Sequence, residues 1–315
     1  MEICALRYGT IEYGSPKLSR DLGVNIAVDL TGHTAKSRIG IFSYRAAPVQ
    51  VSYIGFLGTM GAKYYDYLVA DKTLIPKENQ SYYAEKIIYL PSYQVNDGKR
   101  KTSSRIFTRE ELGLRDSEFI YCCLNNSYKI TPYIFDCWMK ILLSVEGSVL
   151  FLSSNNSYMQ ENLKKEAQSR GVNPNRIIFG PRISYADYLA RYKIFDLFLD
   201  TNPYNAGTTA SDALWAGVPV ITLIGESFAS RIAASLLMSI GLPELITQNQ
   251  AEYIEKAIKL AKNPSEYRNL KKKLKFNIGV SELFDSAAFT KNIEKTYSLI
   301  HNNYQNNIPH GNIYI

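Results

Sequence analysis

The sequence predicts an α/β protein built from two doubly wound parallel sheets. Three observations carry this expectation. Short apolar runs of strand length alternate with longer helical or loop connections along most of the chain, the pattern of β/α units. The length, 315 residues, allows two ordinary cores. A polar stretch at 94–104, rich in Lys, Arg, Ser and Asn, interrupts the alternation as an interdomain linker does.

The elements follow in order. The first domain, 1–104, has strand candidates at 25–29, 48–53, 66–70 and 86–90. The second of these runs into Gly55, Gly58 and Gly61, a loop that lets backbone approach a ligand closely. The second domain, 105–303, opens with a helix near 108–112, where Thr108 and Glu111 have capping-box spacing. Strands are expected at 119–123, 148–152, 176–179, 197–200 and 219–223. Helices are expected at 133–145, 159–170, 185–192, 209–216, 227–240 and 251–260. The chain past Ser286 reads as helix, and 304–315 as a disordered tail. There is no internal repeat.

Composition narrows the function classes. With 46% apolar and 21% charged residues the chain is of ordinary globular type. The net charge of +7 comes without a dense basic block, since 99–101 and 271–273 are short runs. That argues against nucleic acid as partner and suits anionic small molecules or acidic partners. Cys4, Cys122, Cys123 and Cys137 match no zinc spacing, and Cys122 and Cys123 lie in an apolar strand as core residues. The lack of a disulfide framework fits a reducing compartment, the cytoplasm. Neither a signal peptide nor a membrane span is expected, since no basic stretch followed by a long apolar run opens the sequence and no apolar run reaches membrane-spanning length.

The most informative segment runs from Leu199 to Pro219: a strand end, a glycine-bearing loop, then a helix opening at Thr208-Thr209. Such a helix start presents backbone N–H groups, two hydroxyls and the positive end of a helix dipole to one point, which suits a diphosphate. Asp212 lies one turn beyond Thr208 on the same face, where a carboxylate can accept hydrogen bonds from ribose hydroxyls. The spacing alone fits an ordinary capped helix under a sheet equally well.

This segment, Tyr128-Lys129 and Gly225-Glu-Ser-Phe-Ala-Ser-Arg-Ile-Ala-Ala-Ser235 together resemble the catalytic region of the O-GlcNAc transferase/Spindly family of glycosyltransferases. Upstream, Asp29-Leu-Thr-Gly-His-Thr34, Arg45-Ala-Ala-Pro-Val-Gln50, Gly55-Phe-Leu-Gly-Thr-Met-Gly61, Asp66-Tyr67 and Tyr83-Ala-Glu-Lys86 continue the resemblance in the same order. It implies the GT-B architecture, two Rossmann-like domains facing a cleft that holds a nucleotide sugar. It also implies inverting, metal-independent transfer of a sugar, GlcNAc from UDP-GlcNAc, to Ser or Thr hydroxyls of a protein or peptide. No cofactor beyond the donor is expected.

The resemblance assigns roles residue by residue. Lys129 matches the lysine that contacts the distal phosphate, and a cation there offsets charge on the leaving diphosphate. Tyr128 precedes it in the motif, and Asn126 stands where animal members carry a glutamine near the diphosphate. Thr208 and Thr209 match the pair that grips the diphosphate, Gly207 lets the loop pass close to it, and Asp212 matches the ribose-binding acid. Leu214 and Trp215 are expected in the core. The turn Gly180-Pro181 offers no polar side chain to a base, so base recognition falls to the next helix. There Tyr188 and Arg191 match positions that pack on and hydrogen-bond uracil, and Tyr185 stands where some members have a lysine. Tyr204 and Asn205 line the sugar pocket; Tyr204 replaces a smaller residue near the N-acetyl group, which leaves the donor sugar open. Gly58 and Thr59 resemble the loop over the sugar. His33 resembles an acceptor-side position, with a capping or packing role as the alternative.

One departure shapes a further expectation. Family catalytic regions open with a strand and a His-Pro-containing loop, and most carry tetratricopeptide repeats ahead of it. Neither is matched, and no histidine precedes His33. The first domain is therefore expected to be incomplete, N-terminally truncated, with a separate chain to cover the open sheet edge. Two other readings stay open: a nucleotide-binding pseudoenzyme or interaction module, and a GT-B transferase of another sugar or acceptor.

Overall fold

A computed structural model of the chain describes residues 14–154 and 156–315. The chain divides into two units, one formed by residues up to Val95 with Ser286–Ile315, the other by Asn96–Asp285.

In the first unit, helix α1 (Gly14–Asp21) leads to strand β1 (Ile26–Asp29), the short helix α2 (Gly40–Ser43), and strands β2 (Val49–Ser52), β3 (Tyr67–Ala70) and β4 (Lys86–Tyr89). The strands lie side by side in chain order and pair in parallel. Every residue of β2 and β3 is buried, as the inner strands of a parallel sheet require. The polar Gln50 is tolerated there because its amide donates to the carbonyls of Phe42 and Tyr64 and accepts from the Ala46 N–H.

The second unit alternates strictly. Strand β5 (Phe119–Cys123) is followed by α3 (Pro132–Ser144), β6 (Ser148–Ser153), α4 (Ser157–Ser169), β7 (Ile177–Gly180) and α5 (Tyr185–Arg191). Then come β8 (Leu197–Leu199), α6 (Thr208–Trp215), β9 (Val220–Leu223), α7 (Ile232–Ser239), β10 (Ile246–Thr247), α8 (Gln250–Lys262) and α9 (Pro264–Ile278). The parallel sheet has the order β10-β9-β8-β5-β6-β7, so the winding reverses between β5 and β8. That is the doubly wound, Rossmann-like order, and ligands of such sheets bind where it reverses, beyond the carboxyl ends of the strands. Trp138 on α3 anchors the core and donates through Nε1 to the Tyr253 hydroxyl at 3.1 Å. Cys122, Cys123 and Cys137 are free and buried in this unit, while Cys4 lies outside the described residues.

Several expectations are corrected. The first unit reclaims the end of the chain: α10 (Ser286–Gln305) is followed by strand β11 (Ile313–Tyr314), which pairs with β4. Residues 304–315 are therefore not a disordered tail. Asn312 accepts from the Ile87 N–H at 2.8 Å, and the Tyr314 ring stacks on Tyr89 with centroids 4.8 Å apart. The second unit begins at Asn96, within the stretch expected as a linker. At 108–112 the reciprocal bonds of the capping box form between Thr108 and Glu111, but only a 3-10 turn (Glu110–Leu112) follows. Gly113, at φ 71°, ends it in a left-handed cap. The 227–240 helix is split, because Ser227 caps a 3-10 turn (Phe228–Ser230) and Arg231, at φ −122°, leaves the helical region before α7. Helix α9, which carries Lys271–Lys273, was not anticipated.

Candidate nucleotide-sugar site

The loops after β5 and β8 meet at the reversal point of the second sheet. Asn125, two residues past β5, binds them together: its Nδ2 donates to Thr201 Oγ1 at 2.8 Å, and its Oδ1 accepts from Thr209 Oγ1. Asp200 shapes the second loop from within. Its Oδ1 accepts from the N–H groups of Thr201 and Ala206 at 2.8 and 2.7 Å, and its Oδ2 from the Thr222 hydroxyl at 2.7 Å. The loop is thus folded back on a fully buried carboxylate. Burial pushes that carboxyl up to about 7, against the opposing pull of its hydrogen bonds and of Lys129.

Lys129 ends the 3-10 turn Ser127–Lys129 after β5. Its Nζ donates to the Asn205 carbonyl at 2.9 Å and stands 3.8 Å from the centre of the Tyr204 ring, a cation–π contact. Burial lowers its pKa from the usual lysine value, and the Asp200 carboxylate works the other way. Tyr204 in turn lies 6.2 Å from the ring of the exposed Tyr128. Asn126 is exposed just ahead of the turn, and Asn205 is buried with its Nδ2 on the Thr201 carbonyl. Lys129, Tyr128, Tyr204 and Asn205 are therefore one group.

Helix α6 begins at this group. Gly207 precedes its first residue and carries no side chain to cap it. The first-turn N–H groups have no partner inside the helix. Thr208 is exposed, whereas the Thr209 hydroxyl is taken by Asn125. Asp212, one turn on, is 2% exposed. Its Oδ1 accepts from the Tyr185 hydroxyl at 2.8 Å and from Arg100 Nη1 at 2.8 Å. Burial raises the Asp212 pKa, and Tyr185 and Arg100 oppose the rise. Leu214 is core and Trp215 packs edge-on against Phe284.

The base-side residues are arranged as follows in the folded chain. Tyr185 is exposed and its ring stacks on Tyr188, with centroids 6.1 Å apart and 21° between the planes. Tyr188 donates to the Tyr192 hydroxyl at 2.8 Å, and Tyr192 donates to the Thr209 carbonyl at 3.2 Å. A face of Tyr188 is thus already covered, and Tyr185 presents the outer ring. Arg191 is 2% exposed, its guanidinium donating to the Pro181 carbonyl at 2.9 Å and lying over the Phe151 ring. Its head is held within the unit by these two contacts.

The candidates of the first unit form a separate group. His33 is exposed, its Nε2 3.2 Å from the Met60 carbonyl and its ring edge-on to Phe56. Thr59 donates to Glu85 at 2.6 Å and accepts from the Gly61 N–H, so its hydroxyl braces the loop that carries Gly58.

Reading the sequence missed Arg100, Asn125 and Asp200. The signal for Asn125 and Asp200 was their place one or two residues beyond strand ends at the reversal point. For Arg100 there was none, since its partner Asp212 lies 112 positions away.

Two parallel α/β sheets, with an uncapped helix start and a lysine at the reversal point of the second, are an α/β fold of GT-B type, as the superposition below bears out. The profile of glycosyl transferase family 41 matches residues 14–102 and 94–293, and the chain belongs to that family. It is 38% identical over 281 residues to an Arabidopsis thaliana protein named probable UDP-N-acetylglucosamine–peptide N-acetylglucosaminyltransferase SEC. The match takes in 87% of this chain and 29% of that protein. It is 31% identical to the Petunia hybrida protein of the same type named SPINDLY, over 92% of this chain and 31% of that one. A solved mutant of the Thermobaculum terrenum O-GlcNAc transferase superposes with a TM-score of 0.84 at 29% identity, over 95% of this chain and 57% of that one. The chain thus spans about a third of the length of these curated relatives. No helix among the described residues is long and apolar enough to cross a membrane.

Proposed function

We propose that this chain is an inverting, metal-independent cytoplasmic transferase that moves GlcNAc from UDP-GlcNAc to Ser or Thr hydroxyls of a protein or peptide. The observation that carries the reading is the group at the reversal point: the Lys129 ammonium, held on the Asn205 carbonyl, beside the free start of α6. In this reading the α6 N–H groups, those of Thr208 and Thr209 included, and the Thr208 hydroxyl hold the diphosphate, and Asp212 takes the ribose. When the acceptor hydroxyl oxygen attacks the sugar carbon from the face opposite the diphosphate, that carbon inverts, the bond to the diphosphate breaks with its electron pair leaving on UDP, and the hydroxyl proton passes to solvent or to the departing diphosphate. Lys129 and the helix start then offset the charge gathering on the leaving group, the task a metal ion performs elsewhere. The relatives named as peptide N-acetylglucosaminyltransferases support GlcNAc and a protein acceptor.

Tyr204 favours a second reading of the donor alone, transfer of another sugar, because its large ring stands beside Lys129 where the resemblance implies a smaller residue near the N-acetyl group. Mass spectrometry of transfer with UDP-GlcNAc, UDP-glucose and GDP-fucose in parallel decides between them. UDP-GlcNAc as the preferred donor supports the first reading, UDP-glucose or GDP-fucose supports the second, and no transfer from any of the three overturns both. Lys129→Ala is expected to lower turnover by roughly a hundredfold or more while changing UDP affinity much less. Equal turnover in variant and parent removes Lys129 from the chemistry.

A further inference from the structure

We infer that Arg100 is a positioning residue for ribonucleotide binding, fixing Asp212 through one carboxylate oxygen so that the other is left for the ribose hydroxyls. The inference rests on the donor-site reading of Asp212 and adds to it a residue from outside the β/α units. Arg100 lies in the polar stretch ahead of the first strand of the second unit, and its side chain is only 6% exposed. Both terminal nitrogens of its guanidinium are held. Nη1 donates to Asp212 Oδ1 at 2.8 Å, while Nη2 donates to Asn96 Oδ1 at 2.9 Å and to Ser211 Oγ at 2.6 Å. The Phe284 ring lies beneath, 5.5 Å from the guanidinium carbon. Ser211 also donates to Asn96, and Asn96 donates to the Leu283 carbonyl at 3.2 Å, so the cradle is itself tied to the unit.

The consequence is an asymmetric carboxylate. Oδ1 takes both Arg100 and the Tyr185 hydroxyl, and among the described residues Oδ2 takes no hydrogen bond. A buried carboxylate with one oxygen anchored and one unused has a fixed acceptor direction, which a pair of vicinal hydroxyls can exploit. Arg100 also supplies the charge that balances the burial of Asp212. Tyr185, Tyr188 and Tyr192 are the titratable groups that α5 and its following turn bring near it, and Asp97 lies close to Tyr185. Arg100 is the cation opposing the rise in the Asp212 pKa.

The test compares a ligand with ribose and one without. Calorimetric titration of the full chain with UDP and with inorganic pyrophosphate separates the Asp212 contact from the diphosphate contacts. In Arg100→Gln, which keeps polar atoms for Asn96 and Ser211, UDP affinity is expected to fall roughly tenfold to a hundredfold. Pyrophosphate affinity stays unchanged, and Arg100→Lys recovers part of the UDP loss. Without the guanidinium, Asp212 takes up a proton more readily, so the ratio of parent to Gln-variant affinity for UDP should grow as pH falls. Taking the ratio cancels the titration of UDP itself. Equal UDP affinity in parent and Arg100→Gln overturns the inference, as does an equal loss for UDP and pyrophosphate, which marks a merely structural role. Should Arg100→Gln fail to fold, Arg100→Lys decides: unchanged affinities for both ligands overturn the inference, and a loss confined to UDP supports it. A parent that binds pyrophosphate and not UDP overturns the donor-site reading instead.

Discussion

Asp200 is wholly buried, and its carboxyl is pushed up to about 7 in the folded chain, against about 3.9 when unfolded. A raised carboxylate binds a proton in the folded state that the unfolded state has already released. Its stabilising contribution is therefore complete below about pH 4 and is lost as pH rises through about 7. Asp200→Asn keeps an oxygen for the Thr201 and Ala206 N–H groups and turns an N–H donor toward Thr222. Between about pH 5 and about pH 8 the melting temperature of the parent should fall by several degrees more than that of the variant. Parallel melting curves across that range would show that Asp200 does not titrate in it. The sequence placed Asp200 at a strand end without revealing that it shapes the loop, because a carboxylate's use depends on which N–H groups fold back toward it. Arg191 makes the same point. Its motif position matches one that hydrogen-bonds uracil, and the motif says nothing of the packing that lays its guanidinium over Phe151.

At the scale of elements, strands were legible and their company was not. Strands β2 to β9 stand within a residue or two of the apolar runs that predicted them, since burial on both faces writes a continuous signal into the sequence. Strand β11 was illegible because two residues gain order only from the edge of β4. Asn312→Ala should leave the Ile87 N–H without its acceptor and cost about 1–3 kcal/mol, read as an earlier urea transition of the first unit. An unchanged midpoint would mean that the tail adds no stability. Gly180, at the end of β7, is a second element-scale constraint. A Cβ there would lie 2.2 Å from a Phe151 ring atom, and Phe151 has no exposed surface into which to turn. Gly180→Ala should destabilise the second unit by about 1–3 kcal/mol through overpacking, and a midpoint equal to the parent's would show that the ring has room.

At the scale of the whole molecule, the division into two units is not the division of the sequence into halves. The first unit is discontinuous, closed by α10 and β11 from the end of the chain, while the second is one continuous run from Asn96 to Asp285. The residues proposed for the diphosphate and the ribose, Lys129, Thr208, Asp212 and Arg100, all lie in that run. A polypeptide of Asn96–Asp285 alone should therefore fold and bind UDP within a few-fold of the full chain. Loss of binding in a folded polypeptide would mean that the first unit supplies part of the donor site.

The alternation of strands and helices, the capping residues and the ordered motifs around Lys129 and Thr208-Thr209 are written locally, so the sequence by itself determined the α/β class and the candidate group at the second sheet. What it could not determine were meetings between distant residues: Arg100 with Asp212, Asn125 with Thr209, and β11 with β4. Those depend on the order of strands in each sheet and on which polar groups burial forces to find partners, and only the folded chain settles both.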